Sequence, residues 1–182
     1  LMAGGAAAAD LKFKPGEVSK FNWQSFEDFK KGHDLKGQTL TIFGPWRGED
    51  EALFKIVYAY FTEATGVEIK YSSSENYEQQ IVIDTQAGSP PDVAILPQPG
   101  LIADLASKGY LSPLGDETQK WLLDNYAAGQ SWVDLSTYKG KDGNAALFAF
   151  PYKIDVKSLV WYVPGNFEDA GYEVPKTMED LK

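Results

Sequence analysis

An α/β fold, with a largely parallel sheet flanked by helices, is predicted by three features of the sequence. Short apolar strands alternate with helical stripes three times between Gln38 and Gly109. The links between them are short, and a strand–helix–strand order with short links requires parallel strands with helices on the faces. The 182-residue chain is 43% hydrophobic and 24% charged, with both kinds well mixed, as in globular domains. That length suffices to bury one good core.

The elements follow in order. Residues 1–9, LMAGGAAAA, are small and uncharged. They read as the tail of a signal peptide cleaved near Ala9, because Ala7-Ala8-Ala9 fits the small-residue rule; an Ala-rich linker is the competing reading. Residues 10–37 form a polar N-terminal extension with interspersed aromatics. Phe26 and Phe29 at helical spacing predict one short helix docked on the main body. Gln38–Phe43 alternates polar and apolar residues, the signature of a strand. Gly44-Pro45-Trp46-Arg47-Gly48 breaks it. Ala52, Leu53, Ile56, Val57, Tyr60, Phe61 and Ala64 then share a stripe at helical period. Glu49, Asp50 and Glu51 suit that helix's positive N-terminus, and Gly66 suits its stop.

Val67–Tyr71 is the second strand, and the loop Ser72-Ser73-Ser74 leads into a helix over 75–87. Pro90-Pro91 stiffens the chain before a third strand, Asp92–Leu96. Pro97-Gln98-Pro99 opens a helix carrying Leu101, Ile102, Leu105 and Ala106, which Gly109 closes. Asp116–Ala128 is a further helix. Ser131–Gly143 reads as irregular, with turns at Tyr138-Lys139-Gly140 and Asp142-Gly143. From Leu147 a strand enters a Pro151-Tyr152 turn. A second apolar strand, a short aromatic helix and a helix start behind Pro175 and Thr177 come after it.

Several function classes are excluded. The net charge is −9 and the longest basic patches are pairs such as Lys30-Lys31, so nucleic acid is not an expected partner. With no cysteine, disulfides, thiol catalysis and thiolate metal sites are impossible. The lone histidine, His33, sits in a polar segment, and zinc sites need several convergent donors. No metal or cofactor is expected. No segment approaches the roughly 20 apolar residues that span a bilayer. Nucleophile-elbow and phosphate-loop patterns are missing. Glycoside hydrolysis needs two carboxylates facing across a cleft, and no spacing singles out such a pair among Glu49, Asp50, Glu51 and Asp155.

Ligands of open α/β sheets bind beyond the carboxyl ends of the strands. Trp46-Arg47-Gly48-Glu49, Ser72-Ser73-Ser74 and Pro97-Gln98-Pro99 fall on that edge. These residue types suit a neutral sugar: an aromatic ring offers an apolar face to a pyranose, and Arg, Lys, Asp and Gln can bond pairs of hydroxyls. The candidates are Trp46, Arg47, Glu49, Ser73 and Gln98. Packing beneath the loop is the competing role for Trp46, solvation for Arg47, a simple turn for Ser73 and a helix-dipole carboxylate for Glu49.

Four stretches carry a family resemblance: TGVEIKY (Thr65–Tyr71), GSPPDVAILP (Gly88–Pro97), LASKGYLSPL (Leu105–Leu114) and the crossover with Pro151-Tyr152, Ser158–Tyr162, Gly171-Tyr172 and Pro175–Leu181. In this order, Gln38–Lys182 resembles the N-terminal part of the family-1 extracellular solute-binding proteins of ABC sugar importers. VKSLVWY (Val156–Tyr162) with GYEVP looks most like the alpha-glucoside branch. Val163, where many members carry Asn, and Met178, where Trp is common, depart from the pattern and bear on the subfamily rather than the fold. The resemblance implies a periplasmic-binding-protein-like lobe over 38–154. It also implies a hinge crossover and the start of a second lobe over 155–182, with that lobe mostly missing from an N-terminal fragment. Tyr152, Lys153 and Asp155 would come to the ligand edge from the crossover. The implied protein is a periplasmic monomer that delivers a sugar, an alpha-glucoside, to the membrane permease subunits of an ABC importer and is not an enzyme. The alternatives are a carbohydrate-active enzyme domain, or a receptor for a polyamine or a phosphorylated polyol. A polyamine would call for several carboxylates, and phosphate for more cations than Arg47 and Lys153.

Overall fold

The computed structural model describes residues 11–153 and 160–181. The chain divides into two compact units, one reaching Phe150 and the other beginning at Pro151. In the first unit, β1 (Thr39–Phe43) lies between β2 (Glu68–Ser72) and β3 (Val93–Ala94), and both pairings are parallel. Helices make the crossovers: α2 (Glu49–Thr65) between β1 and β2, and α3 (Tyr77–Gln86) between β2 and β3. The α/β, largely parallel class expected from the alternation is what forms.

Local chemistry explains the boundaries. α2 begins with three acids in its first turn and ends at Gly66, whose positive φ of 76° lets its N–H reach Thr62 O at 2.7 Å. α4 (Pro99–Ser107) starts with proline in its first turn, where a missing N–H costs nothing. Its Leu105 and Ala106 are fully buried. One apolar cluster, Phe43, Tyr77 and Ile81, sits directly below the carboxyl end of β1, joined by Val82, Ala94, Leu96 and Leu101. A second joins Leu122, Val133 and Leu147. α1 (Trp23–Gly32), capped by the Asn22 side chain on Ser25 N–H, docks on α2: Trp23 and Phe26 meet Tyr60, and Phe29 meets Phe61. His33 stacks on Phe29 with ring centroids 4.0 Å apart.

Three expectations need correction. The stretch expected to be irregular, Ser131–Gly143, instead begins inside a helix, α6 (Gly129–Ser136), which packs against α5 (Asp116–Asn125). Its Val133 is drawn into the second cluster with Leu122, so tertiary burial overrides a weak local signal. Second, the turn at Gly140–Gly143 joins an antiparallel hairpin, β4 (Thr137–Lys139) with β5 (Ala145–Leu147). Third, β3 is two residues long rather than five, although Ile95 N–H still donates to Phe43 O at 2.9 Å and extends the ladder.

In the second unit, α7 (Pro164–Asp169) is the expected short aromatic helix, with Phe167 between Tyr162 and Tyr172. The strand expected over Ser158–Tyr162 lies partly outside the described residues, and Val160–Tyr162 are not in a strand. At Thr177, Asp180 N–H donates to the Thr177 hydroxyl while the Asp180 carboxylate accepts from Thr177 N–H at 2.9 Å. That reciprocal pair resembles a capping box, but residues 177–181 form bends and turns rather than the expected helix.

Asp92 fixes the entry of β3 beside β1. Its carboxylate accepts from the Thr41 hydroxyl at 2.6 Å and from Thr41 N–H at 2.8 Å, and its own N–H returns a bond to Thr41 Oγ1 at 2.9 Å. The Thr41 hydroxyl, followed by the Thr41 N–H, holds the Asp92 carboxyl below its ordinary value of 3.8. A carboxyl lowered by folding stabilises the fold above its unfolded value, and that contribution fades as pH falls through the folded one. Urea unfolding of Asp92→Asn should therefore show a stability deficit at pH 7 that narrows towards pH 2. A deficit independent of pH would contradict the assignment.

Candidate functional site

Since the three strands run parallel, their following loops emerge at one edge. There the chain forms an open depression of about 380 Å³. Pro45 from the loop after β1, Pro97 from the loop after β3, and the run Ser74–Gln79 after β2 line it. This is the carboxyl edge at which open α/β sheets take ligands.

The loop after β1 is held from both neighbouring segments. Tyr71, on β2, donates its hydroxyl to Trp46 O at 2.9 Å and accepts from Trp46 N–H at 3.0 Å. Partial burial pushes the Tyr71 phenol above its ordinary value of 10.0, against the opposing effect of the bond to Trp46. It therefore stays protonated and able to donate. Phe54 on α2 packs against both rings, 4.9 Å from Trp46 and 5.2 Å from Tyr71 between centroids. Gly44 is required by this approach, because a Cβ there would stand 2.7 Å from Tyr71 Oη and 2.8 Å from its ring edge. From the other side, the buried Tyr77 donates to Phe43 O at 3.1 Å, and burial drives its phenol far above the ordinary range.

The expected site residues divide accordingly. Trp46 is half-buried, packed on Phe54 with part of its surface open. Arg47 is not simply solvated: its guanidinium pairs with Glu75 at 3.0 Å, linking the loops after β1 and β2. Both side chains are largely exposed, so the pair adds little stability but places a charge-balanced group at the rim. Glu49 is exposed in the first turn of α2. Ser73 is half-buried beside Ser74, which lines the depression. Gln98 is the exposed N-cap of α4, where its carbonyl accepts from Leu101 N–H at 3.1 Å while its side chain makes no capping bond. Tyr152 and Lys153 lie in the second unit and are exposed, and burial raises the Tyr152 phenol with Lys153 opposing. Asp155 lies outside the described residues.

Sequence reasoning missed Tyr71, Gly44 and the polar run Glu75-Asn76-Glu78-Gln79. The last was legible as a polar run interrupted only by Tyr77 at the start of a helix, directly after a serine loop. Asn76 is the N-cap of α3 yet makes no side-chain capping bond. Ser74 Oγ is buried with no hydrogen-bond partner among the described residues. The exposed amides of Asn76 and Gln79 and carboxylates of Glu75 and Glu78 around one open depression can hydrogen-bond a polyhydroxylated ligand. Among the described residues, no group of three His, Cys, Asp or Glu side chains could hold a metal ion. No described helix is long and apolar enough to cross a membrane.

The architecture is thus an open α/β lobe with its loops gathered at the carboxyl edge of a parallel sheet. Residues 44–182 match the model of the bacterial extracellular solute-binding proteins, and the chain belongs to that family. It is 89% identical over 175 residues to the alpha-glucosides-binding periplasmic protein AglE of Rhizobium meliloti (strain 1021), covering 96% of this chain and 38% of that protein. It is 38% identical over 149 residues to the osmoprotective compounds-binding protein GgtB of Synechocystis sp. (strain ATCC 27184 / PCC 6803 / Kazusa), covering 81% of this chain and 34% of that protein. The chain therefore spans well under half the length of these curated relatives.

Gly44→Ala should destabilise the chain by about 1–3 kcal/mol in urea unfolding, the usual cost of overpacking. Unchanged stability would mean that the Tyr71 approach is not close in solution.

Proposed function

We propose that this chain carries the first lobe, over residues 38–154, and the start of the second lobe of a periplasmic receptor that binds an alpha-glucoside and delivers it to an ABC importer. The observation that carries the reading is 89% identity, along nearly the whole chain, to a protein named for alpha-glucoside binding. The chemistry of the edge supports it. Arg47 is balanced by Glu75, and Glu78 adds a further carboxylate, so the rim favours a neutral polyhydroxyl over a phosphorylated polyol. The half-buried indole of Trp46 supplies an apolar surface for a sugar ring. In this reading Trp46, Arg47, Glu49, Ser73, Gln98, Tyr152, Lys153 and Asp155 supply the contacts from this part of the protein. Segments outside this sequence complete the cleft. The receptor acts as a monomer, releases its sugar unchanged, and reaches the periplasm by a signal peptide cleaved near Ala9.

Calorimetry on the full-length protein with maltose, trehalose, sucrose and spermidine tests this. A disaccharide should bind, be recovered intact, and bind at least about tenfold more weakly to Trp46→Ala, the loss of about 1.4 kcal/mol. Binding of spermidine alone, or hydrolysis of the sugar, would overturn the reading.

A further inference from the structure

The geometry points to Tyr71 as a positioning residue that sets the pose of Trp46 towards the ligand without touching the ligand itself. This rests on the proposed sugar-binding function. One phenol oxygen serves both backbone groups of Trp46, donating to its carbonyl at 2.9 Å and accepting from its N–H at 3.0 Å. The two peptide planes flanking Trp46 are thereby oriented by a single side chain, and with them the direction of the Cα–Cβ bond that aims the indole. The hydroxyl gives its proton to the Trp46 carbonyl and a lone pair to the Trp46 N–H, so its bonds hold the loop backbone. Gly44 makes room for the Tyr71 ring, and Phe54 backs the two rings together. The tyrosine comes from β2, a regular strand paired along its whole length with β1, so the loop takes its pose from the sheet. Sites whose contacts are fixed before binding lose less entropy when the ligand arrives.

The test uses the full-length protein labelled with 5-fluorotryptophan, with the Trp46 resonance assigned by its absence in Trp46→Phe. Maltose, trehalose and sucrose serve as probes in calorimetry on wild type, Tyr71→Phe, Trp46→Ala and the double variant. Tyr71→Phe should move the Trp46 resonance, leave the other tryptophan resonances in place, and weaken disaccharide binding about five- to tenfold, the scale of one or two hydrogen bonds. The double variant should bind no more weakly than Trp46→Ala, since Tyr71 acts only through the indole. Wild-type affinity in Tyr71→Phe, an unmoved Trp46 resonance, or losses that add in the double variant would each overturn the assignment. A wild type that binds none of the three sugars would overturn the receptor reading and this inference with it. That failure is distinct, because it appears before any variant is compared.

Discussion

With β1 pairing in parallel to β2 on one side and to β3 on the other, three strands must finish at the same edge of the sheet. Parallel strands cannot be joined by tight hairpins, so each is followed by a loop and a helix. The loops at residues 44–48, 73–76 and 95–98 are consequently neighbours in space although they are widely separated in sequence. The depression at this edge follows from that constraint.

What gives the edge a defined shape is a pair of tyrosines converging on the end of β1. Tyr77 bonds Phe43 O from below and is buried with Ile81 beneath it, while Tyr71 bonds Trp46 beyond the strand. Hydrogen bonds in such partly dry surroundings are stronger than in water, and losing one partner is costly. The Arg47–Glu75 pair adds a third tie between loops, but at the exposed rim, where water and salt weaken it. The edge thus grades from a partly buried, hydrogen-bonded floor to an exposed rim. For the receptor proposed above, that gradient would help both binding and release, because aromatic surface held in place lowers the entropy cost of binding while exposed polar groups can exchange partners with water.

Much of the fold was legible because its signals are local and periodic. The apolar stripe of α2, the acids at its start and Gly66 at its end place that helix within a residue or so. The candidate edge followed from topology alone; Pro45, Ser74 and Pro97 of its loops line the depression, whereas the named candidates Trp46, Arg47, Glu49, Ser73 and Gln98 are not among its lining residues. The role of individual side chains was less legible, since it depends on contacts across the sheet. Nothing local to GPWRG reveals that Tyr71, 25 positions after Trp46, grips its backbone. Likewise Arg47 reads as a ligand contact or a solvated side chain, and nothing local shows that Glu75 pairs with it. α6 was missed because its helix is held by burial of Val133 against Leu122 and Leu147 rather than by its own propensity. The family's landmarks at residues 65–71, 88–97 and 105–114 succeed for the opposite reason: they mark strand ends and caps, where backbone geometry restricts the residue choice.

The central claim is that the carboxyl edge of the β2-β1-β3 sheet receives the ligand. Hydrogen exchange of the full-length protein with and without saturating maltose tests it most directly. Slower exchange over residues 44–48, 73–79 and 97–100 is the predicted result. Maltose binding with protection confined to the opposite edge, residues 36–39 and 89–92, would contradict it.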